Sequence, residues 1–386
     1  METLIDSIRL GDYPKGYLDR LRPDPNDVCT IMPTGGTTGL PKGVPRTHNS
    51  YITLIRQLAA DYTVDDIALV ATPFGHNMAL QSPINGSIYR QGTAVMIESF
   101  RPRFILEAIA KHRVTVVGLV PTQLEGVLSD PDFGKFDLSS LRAIRTAAAA
   151  LPAGVGEKAI KAFGKGVRFA GSSFGMTEGP TILGSDEAPP ELKLKTVGRR
   201  LPPGNHCKVV DDKGRDLPPN EEGELCFKGP SIFTGYYKAS EANKEAFTQD
   251  GYFLSGDLAK IDENGFVMIT GRSKDTIKRG GETITPGDIE NMLSRHPAIS
   301  GVAVVAMPDP VMGEKACAYV VLQQNRTITL DDMTNFLKSQ GASVLLLPER
   351  LEIVAELPVS DIGKIDKKAL RKDIQEKLIK EGVIKE

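Results

Sequence analysis

The residues best placed to do chemistry crowd into Thr34–Gly43, Thr-Gly-Gly-Thr-Thr-Gly-Leu-Pro-Lys-Gly. Thr34, Thr37 and Thr38 bring hydroxyls and Lys42 a cation. Gly35, Gly36, Gly39 and Gly43 let backbone N–H groups approach an anion closely. That set suits a triphosphate. It is not a Walker A loop, which needs Gly-Lys followed directly by Ser or Thr; here Pro41 precedes Lys42 and Gly43 follows it. Further groups are weaker one by one. In Ser172–Gly179, Ser-Ser-Phe-Gly-Met-Thr-Glu-Gly, the Phe174 ring can stack on a purine and Thr177 can donate to a phosphate. Glu178 in the same stretch can hold Mg²⁺ through oxygen. Asp257, directly after Gly256, can accept from both hydroxyls of a ribose, and Arg272 in Gly-Arg-Ser-Lys-Asp can reach a ribose or a phosphate. Each of these also reads as an ordinary turn. Lys364, in Gly363-Lys364-Ile365-Asp366, is by itself a surface lysine.

Such residues need a scaffold, and the hydrophobic pattern supplies one. Apolar runs at Val28–Met32, Ile67–Thr72, Thr93–Glu98, Val114–Val120, Leu141–Arg145 and Val167–Ala170 read as strands. Helical patterns fall at Asn49–Tyr62, Arg103–His112, Thr122–Leu128 and Ala153–Phe163. This alternation predicts α/β layers on a largely parallel sheet, with Ser172–Gly179 at its carboxyl edge. From Gly184 to Thr270, Pro and Gly clusters separate short runs (Cys207–Val210, Gly223–Phe227, Leu258–Ile261, Phe266–Ile269), which predicts a small antiparallel, β-rich subdomain. After Gly271 the pattern is α+β: helices Pro286–His296, Leu330–Ser339 and Lys367–Lys380, strands Gly301–Ala306, Ala316–Leu322 and Arg350–Val354. The expected division is an N-terminal domain over 1–270, with 185–270 its β-rich part, and a C-terminal domain over 271–386.

Taken in order, these motifs make the chain resemble the adenylate-forming superfamily of acyl- and aryl-CoA ligases, aryl-acid adenylating enzymes, peptide-synthetase adenylation domains and beetle luciferases. The resemblance runs from about residue 28 to the C-terminus. It implies ATP and Mg²⁺ as cofactors and a mobile C-terminal domain. By match, Thr34 to Gly43 is the phosphate loop. Gly171, Ser172 and Phe174 fall with the nucleotide contacts, Thr177 and Glu178 at the phosphate and Mg²⁺ positions, and Asp257 and Arg272 at the ribose. Lys274 falls at the hinge and Lys364 at the adenylation lysine. The nearest texture is that of 2,3-dihydroxybenzoate–AMP ligases and salicylate enzymes of siderophore biosynthesis. It rests on Arg46-Thr47-His48, His76-Asn77 with Ser82, Phe174-Gly175-Met176, Tyr236-Tyr237-Lys238 and Arg279-Gly280-Gly281-Glu282. There the residues matching His76, Asn77 and Ser82 belong to the acid pocket; a helix cap with a packed histidine is the plain alternative. Two departures stand out. Lys278, counted with the catalytic residues, replaces the usual Asn, and Ala147 to Ala150 replace a Gly-Gly-Ala-Lys stretch. Family members also carry a longer segment before the phosphate loop than the 33 residues here, which implies a fragment, a shifted start or a trimmed variant.

The totals set outer limits. At 386 residues, two or three domains are expected. A net charge of −2 favours neither nucleic acid nor an anionic membrane as a partner. Cys29, Cys207, Cys226 and Cys317 are too far apart for a zinc or redox pair, so reduced thiols and a cytoplasmic setting are expected. No apolar stretch is long enough to span a membrane or serve as a signal peptide. Three readings follow. The first is adenylation of an aromatic carboxylic acid with transfer to the phosphopantetheine thiol of an aryl carrier protein. The second is the same activation with free CoA as acceptor. The third is a catalytically weak remnant that only binds adenylates.

Overall fold

The structure is a computed structural model. It describes residues 16–34, 42–149, 151–164, 166–184, 188–359 and 364–384.

Runs rich in Val, Ile and Leu, apolar on both sides, make strands covered on both faces. Five of them form a parallel sheet: β3 (Ile67–Val70), β4 (Thr93–Met96), β5 (Val116–Leu119), β6 (Ala143–Thr146) and β7 (Arg168–Ser172), in the order β4-β3-β5-β6-β7. On one face, Leu69, Val117, Leu119 and Ile144 meet Ile105, Leu106 and Ile109 of helix Pro102–His112, Leu124 of Pro121–Ser129 and Val155 of Ala153–Phe163. The alternate residues Ala68, Val116 and Ala143 face the other way, onto Tyr62. The strand order reverses at β3, which has β4 on one side and β5 on the other. An open α/β sheet takes its ligand in the crevice outside such a reversal.

Two local features differ from the pattern reading. The run at Val28 does form a strand, β1 (Val28–Pro33), but it pairs antiparallel with β2 (Gly43–Thr47) and stays out of the parallel sheet. β1 and β2 are therefore the arms of a hairpin, tied at their ends by Thr34 N–H to the Lys42 carbonyl (2.9 Å) and Lys42 N–H to Thr34 Oγ1 (3.1 Å). The helix after it is shorter than the pattern, His48–Leu58, and begins at a capping box between Thr47 and Ser50. Further on, the pattern marks nothing between the strands at Ile67 and Thr93, yet the chain is helical there: Asn77–Ala79, a π turn at Leu80–Ile84, then Asn85–Arg90. Pro83 and Asn85-Gly86 are breakers by type, and the wider π turn accommodates the proline.

After β7 comes the short antiparallel pair β8 (Phe174–Gly175) and β9 (Thr181–Ile182), and the middle of the chain then gives an antiparallel sheet of β10 (His206–Val210), β11 (Gly223–Lys228), β12 (Phe253–Ile261) and β13 (Val267–Arg272). Its core of Leu225, Phe227, Phe253 and Val267 also takes in Val44 of β2 and Ile182. Beyond it, β14 (Ile277–Arg279), β15 (Glu282–Ile284), β16 (Ile299–Asp309), β17 (Gly313–Leu322) and β18 (Arg350–Ile353) form a further sheet. Helices Pro286–Leu293 and Leu330–Ser339 pack on one side of it and Lys367–Lys380 on the other. The architecture is a layered, largely parallel α/β part with a β-rich portion, followed by an α+β unit. Among the described residues no helix is long and apolar enough to cross a membrane.

Arg46 ties the first part together. Its side chain is fully buried and donates to the carbonyls of Ser50 (3.2 Å), Thr177 (3.1 Å) and Ser231 (2.9 Å) and to Ser50 Oγ (3.3 Å). Burial pushes its guanidinium down to about 10, so it stays charged near neutrality. The same junction is tight at Gly179 (φ +111°), where a Cβ would strike the Ser231 carbonyl. Arg46→Met leaves buried carbonyls without donors, at about 1–3 kcal/mol each. Urea unfolding of the full chain is expected to show a loss of roughly 3 kcal/mol or more by that count. A loss below about 0.5 kcal/mol, the size of an ordinary surface substitution, would show that Arg46 is not the tie.

Candidate active site

The carboxyl ends of β3, β5, β6 and β7 open into a cavity of about 2040 Å³, closed on its other sides by the β-rich sheet and the C-terminal unit. Ala71 to Asn77 follow β3, Pro121 follows β5, Ala147 to Ala149 follow β6, and Ser172 to Glu178 lead out of β7. Chain order and sheet order thus bring four separate turns to one crevice.

Of the hairpin loop, Thr34 and Lys42 line the cavity; Gly35, Gly36, Thr37, Thr38 and Gly39 lie outside the described residues. Lys42 Nζ sits 4.6 Å from the centre of the Tyr236 ring. Gly171 (φ +75°) leaves no room for a side chain, because a Cβ would strike the Lys193 carbonyl. Ser172 is buried, and its Oγ has no hydrogen-bond partner among the described residues. Phe174 stacks on Phe227 at 5.6 Å and lines the cavity. Thr177 lies beside it, its carbonyl held by Arg46.

Two buried carboxylates face this space. Glu178 accepts from Tyr236 Oη at 2.8 Å, and burial raises its pKa against the pull of that bond and of the Arg272 and Lys42 cations. Asp257 accepts from Arg272 Nε at 3.0 Å; its other oxygen, Oδ2, has no hydrogen-bond partner among the described residues. Burial again drives its pKa up, while Arg272, Lys364 and Lys274 oppose that. Register explains the pair: Asp257 on β12 and Arg272 on β13 are direct cross-strand partners. The two groups matched to a ribose therefore hold each other.

Lys274 and Lys364 line the same cavity from the C-terminal side. Burial, joined by the Arg272 cation, lowers the Lys364 ammonium to about 8 against the opposing pull of Asp257 and Glu178. Lys278 is not brought here. It lies exposed on β14, donating from Nζ to Thr283 Oγ1 at 2.8 Å, outside the cavity lining.

Across the cavity, His76 caps the helix at Asn77, its Nδ1 accepting from Met78 N–H at 3.2 Å. Burial, with Lys364 nearby, lowers its pKa to about 4, so it is neutral at pH 7. Asn77 donates from Nδ2 to the Met176 carbonyl at 3.3 Å. A carbonyl can only accept, which fixes the amide and leaves the buried Oδ1 without a hydrogen-bond partner among the described residues. Ser82 Oγ lies 3.3 Å from Tyr62 Oη.

Sequence reasoning gave no role to Tyr62, and none of their own to Arg46 or Tyr236, which hold the Thr177–Glu178 turn and its carboxylate. The Gly235-Tyr236-Tyr237 run was the available signal, since Tyr237 N–H bonds the Gly43 carbonyl at the hairpin base (2.8 Å).

A parallel-sheet crevice roofed by a separate α+β unit is a design for holding a small molecule against a strand edge. The model for the AMP-binding enzyme family matches residues 9–237 and that for the AMP-binding enzyme C-terminal domain residues 288–364; the chain belongs to this family. A 2,3-dihydroxybenzoate-AMP ligase of Bacillus subtilis is 34% identical over 357 residues, covering 92% of this chain and 66% of the relative. A salicylyl-CoA synthase / salicylate adenylyltransferase of a Streptomyces species is 36% identical over 361 residues, 92% of this chain and 65% of the relative. The chain thus spans just under two thirds of the length of these relatives. The crystal structure of ATP-bound MatB from Rhodopseudomonas palustris superposes with a TM-score of 0.83 at 30% identity, over 91% of this chain and 69% of that one.

The Lys364 shift has a sign that can be checked. Its pKa is about 8 in this arrangement against 10.5 for an ordinary lysine. Below pH 8 the ammonium keeps its proton whether or not it sits in the cavity, so the closed arrangement carries the whole desolvation cost. Between 8 and 10.5 the buried amine gives up its proton first and the cost falls. In the absence of nucleotide, closure followed by energy transfer between labels on the two parts is expected to increase as pH rises through this window. Lys364→Met should abolish that dependence; an identical pH profile in the variant would contradict it.

Proposed function

We propose that the chain activates an aromatic carboxylic acid with ATP, forming an aryl-AMP and pyrophosphate, and then passes the acyl group to a thiol. The observation that carries this reading is the meeting of Lys364 with Asn77 Oδ1, Glu178 and Asp257 around one cavity. A carboxylate does not acylate, because its leaving group would be an oxide. Attack of its oxygen on the α-phosphorus breaks the bond to the β-phosphate and turns it into a mixed anhydride. Negative charge grows on the phosphate oxygens, and fixed donors lower that barrier. Lys42 donates to the β- and γ-phosphates, and the hydroxyls and glycines of the Thr34–Gly43 sequence supply further donors. Lys364 bridges the acid and the α-phosphate, and Asp257, released from part of its bond to Arg272, accepts from the ribose. Asn77 Oδ1 accepts a hydroxyl beside the acid's carboxylate.

The residues present also fit a magnesium ion. No cluster of three or more metal-ligating side chains occurs among the described residues, and Mg²⁺ commonly takes one carboxylate and completes its shell with phosphates and water. Glu178 would hold it; bound there, the ion neutralises charge on the phosphates. The acceptor is proposed as the thiol of an aryl carrier protein. Free CoA is the second reading, favoured by the name of the Streptomyces relative and by Lys278 in place of Asn.

Acid-dependent exchange of labelled pyrophosphate into ATP tests the first half-reaction. Lys364→Ala is expected to lower it about 100-fold or more, as loss of a transition-state donor does, while acyl transfer from supplied aryl-AMP persists. Equal loss in both steps would make the lysine structural. Asn77→Leu is expected to lower kcat/KM for 2-hydroxy aromatic acids about tenfold more than for benzoate, since the hydroxyl loses its acceptor. A uniform loss across acids would remove Asn77 from hydroxyl recognition.

A further inference from the structure

The cavity continues past Asn77 into a polar recess that hydroxyl recognition does not use. Gln81 lies four residues on, at the π turn, and lines the cavity. It is 4% exposed, and its Nε2 has no hydrogen-bond partner among the described residues. A buried amide N–H₂ with nothing to bond is costly and implies a missing acceptor. A second donor, Arg145, lines the same cavity. Arg145 on β6 is the cross-strand partner of Gly118 on β5, so their side chains share a face. Met78 packs over Gly118, with its Cε 3.4 Å from where a Cβ would be. The Arg145 guanidinium lies 5.8 Å from the Tyr62 ring centre, and the Tyr62 hydroxyl reaches Ser82. These contacts run without a gap from the Asn77 turn to Arg145, one residue inside the strand end.

Arg145 is largely buried and pairs with Asp61 at 2.6 Å. That carboxylate is divided, since Arg200 also reaches it at 3.3 Å and Arg168 at 3.8 Å. The recess is therefore rich in donors: a guanidinium sharing its counter-charge, an unpaired amide N–H₂ and two hydroxyls. An apolar ring edge placed there would leave the Gln81 amide unsatisfied.

We propose that this recess is a second recognition subsite, which selects acids carrying a hydrogen-bond-accepting substituent remote from the reacting carboxylate. The proposal rests on the aryl-acid reading of the cavity. It extends that reading: Asn77 accepts from the acid near its carboxylate, whereas Gln81 and Arg145 donate to it at the far end.

The test compares benzoates bearing carboxamide, carboxylate or methyl at the same ring position, meta or para, with salicylate as reference, by pyrophosphate exchange on the full chain. The carboxamide or carboxylate acid is expected to exceed the methyl acid in kcat/KM by about tenfold or more, the scale of one buried hydrogen bond. Gln81→Leu and Arg145→Met are expected to erase that preference while the methyl acid keeps its rate. A carboxylate that outruns the carboxamide supports the subsite with Arg145 as its main donor; the reverse order supports it with Gln81. If Arg145→Met fails to fold, having left Asp61 short of a partner, Gln81→Leu carries the test alone. Equal rates for methyl and acceptor acids, or a preference that Gln81→Leu leaves wholly unreduced, would overturn the proposal. Absence of exchange with every acid, salicylate included, would count against adenylation instead. Dissociation constants for the same acids by calorimetry then decide the subsite by themselves: the same ranking supports it and a flat ranking overturns it.

Discussion

Burying a carboxylate is expensive unless something holds its charge, and this cleft buries two. Glu178 is 5% exposed and Asp257 4% exposed. Much of the surrounding structure can be read as the means of keeping them there. Tyr236 donates to one and Arg272 to the other. Arg46, itself buried, pins the turn that carries Glu178 to the loop at Ser231 and to the hairpin. Once those anions are fixed, cations from three separate elements face the same space: Lys42 from the hairpin, Arg272 from β13 and Lys364 from the C-terminal unit. A polyanionic ligand with its own cation is the chemistry that such a cleft can satisfy.

The C-terminal unit closes a cavity that the parallel sheet only begins. Removing the Lys364 ammonium from water disfavours closure, and burial also penalises the charged forms of Asp257 and Glu178. A nucleotide that supplies the missing partners would stabilise the closed arrangement over any other, because only a ligand with different affinity for two states can shift them.

Much of the fold was legible because its signals are local. The helices Ala153–Phe163, Leu330–Ser339 and Lys367–Lys380 begin and end where periodicity puts them. The partner of β1 was not legible: strand pairing is decided between segments, and nothing within Val28–Met32 distinguishes a hairpin from a sheet. The helical run Asn77–Arg90 was hidden by Pro83 and Asn85-Gly86, whose turn preference the π geometry overrides. The site divides the same way. Thr34, Phe174, Glu178, Asp257 and Arg272 sit in short motifs whose residue types suggest their chemistry. Lys364 does not, and only the resemblance drew attention to it. Tyr62, Gln81 and Arg145 come from three elements and meet only after folding, so no spacing in the chain could have joined them.

The central claim is that this cleft makes an aryl-AMP. The most direct measurement is mass spectrometry of the products when the chain is mixed with ATP, Mg²⁺ and salicylate in the absence of any thiol. The account predicts salicyl-AMP and an equal amount of pyrophosphate, neither of them formed when the acid is left out. ADP with inorganic phosphate, or nucleotide turnover that does not depend on the acid, would contradict it.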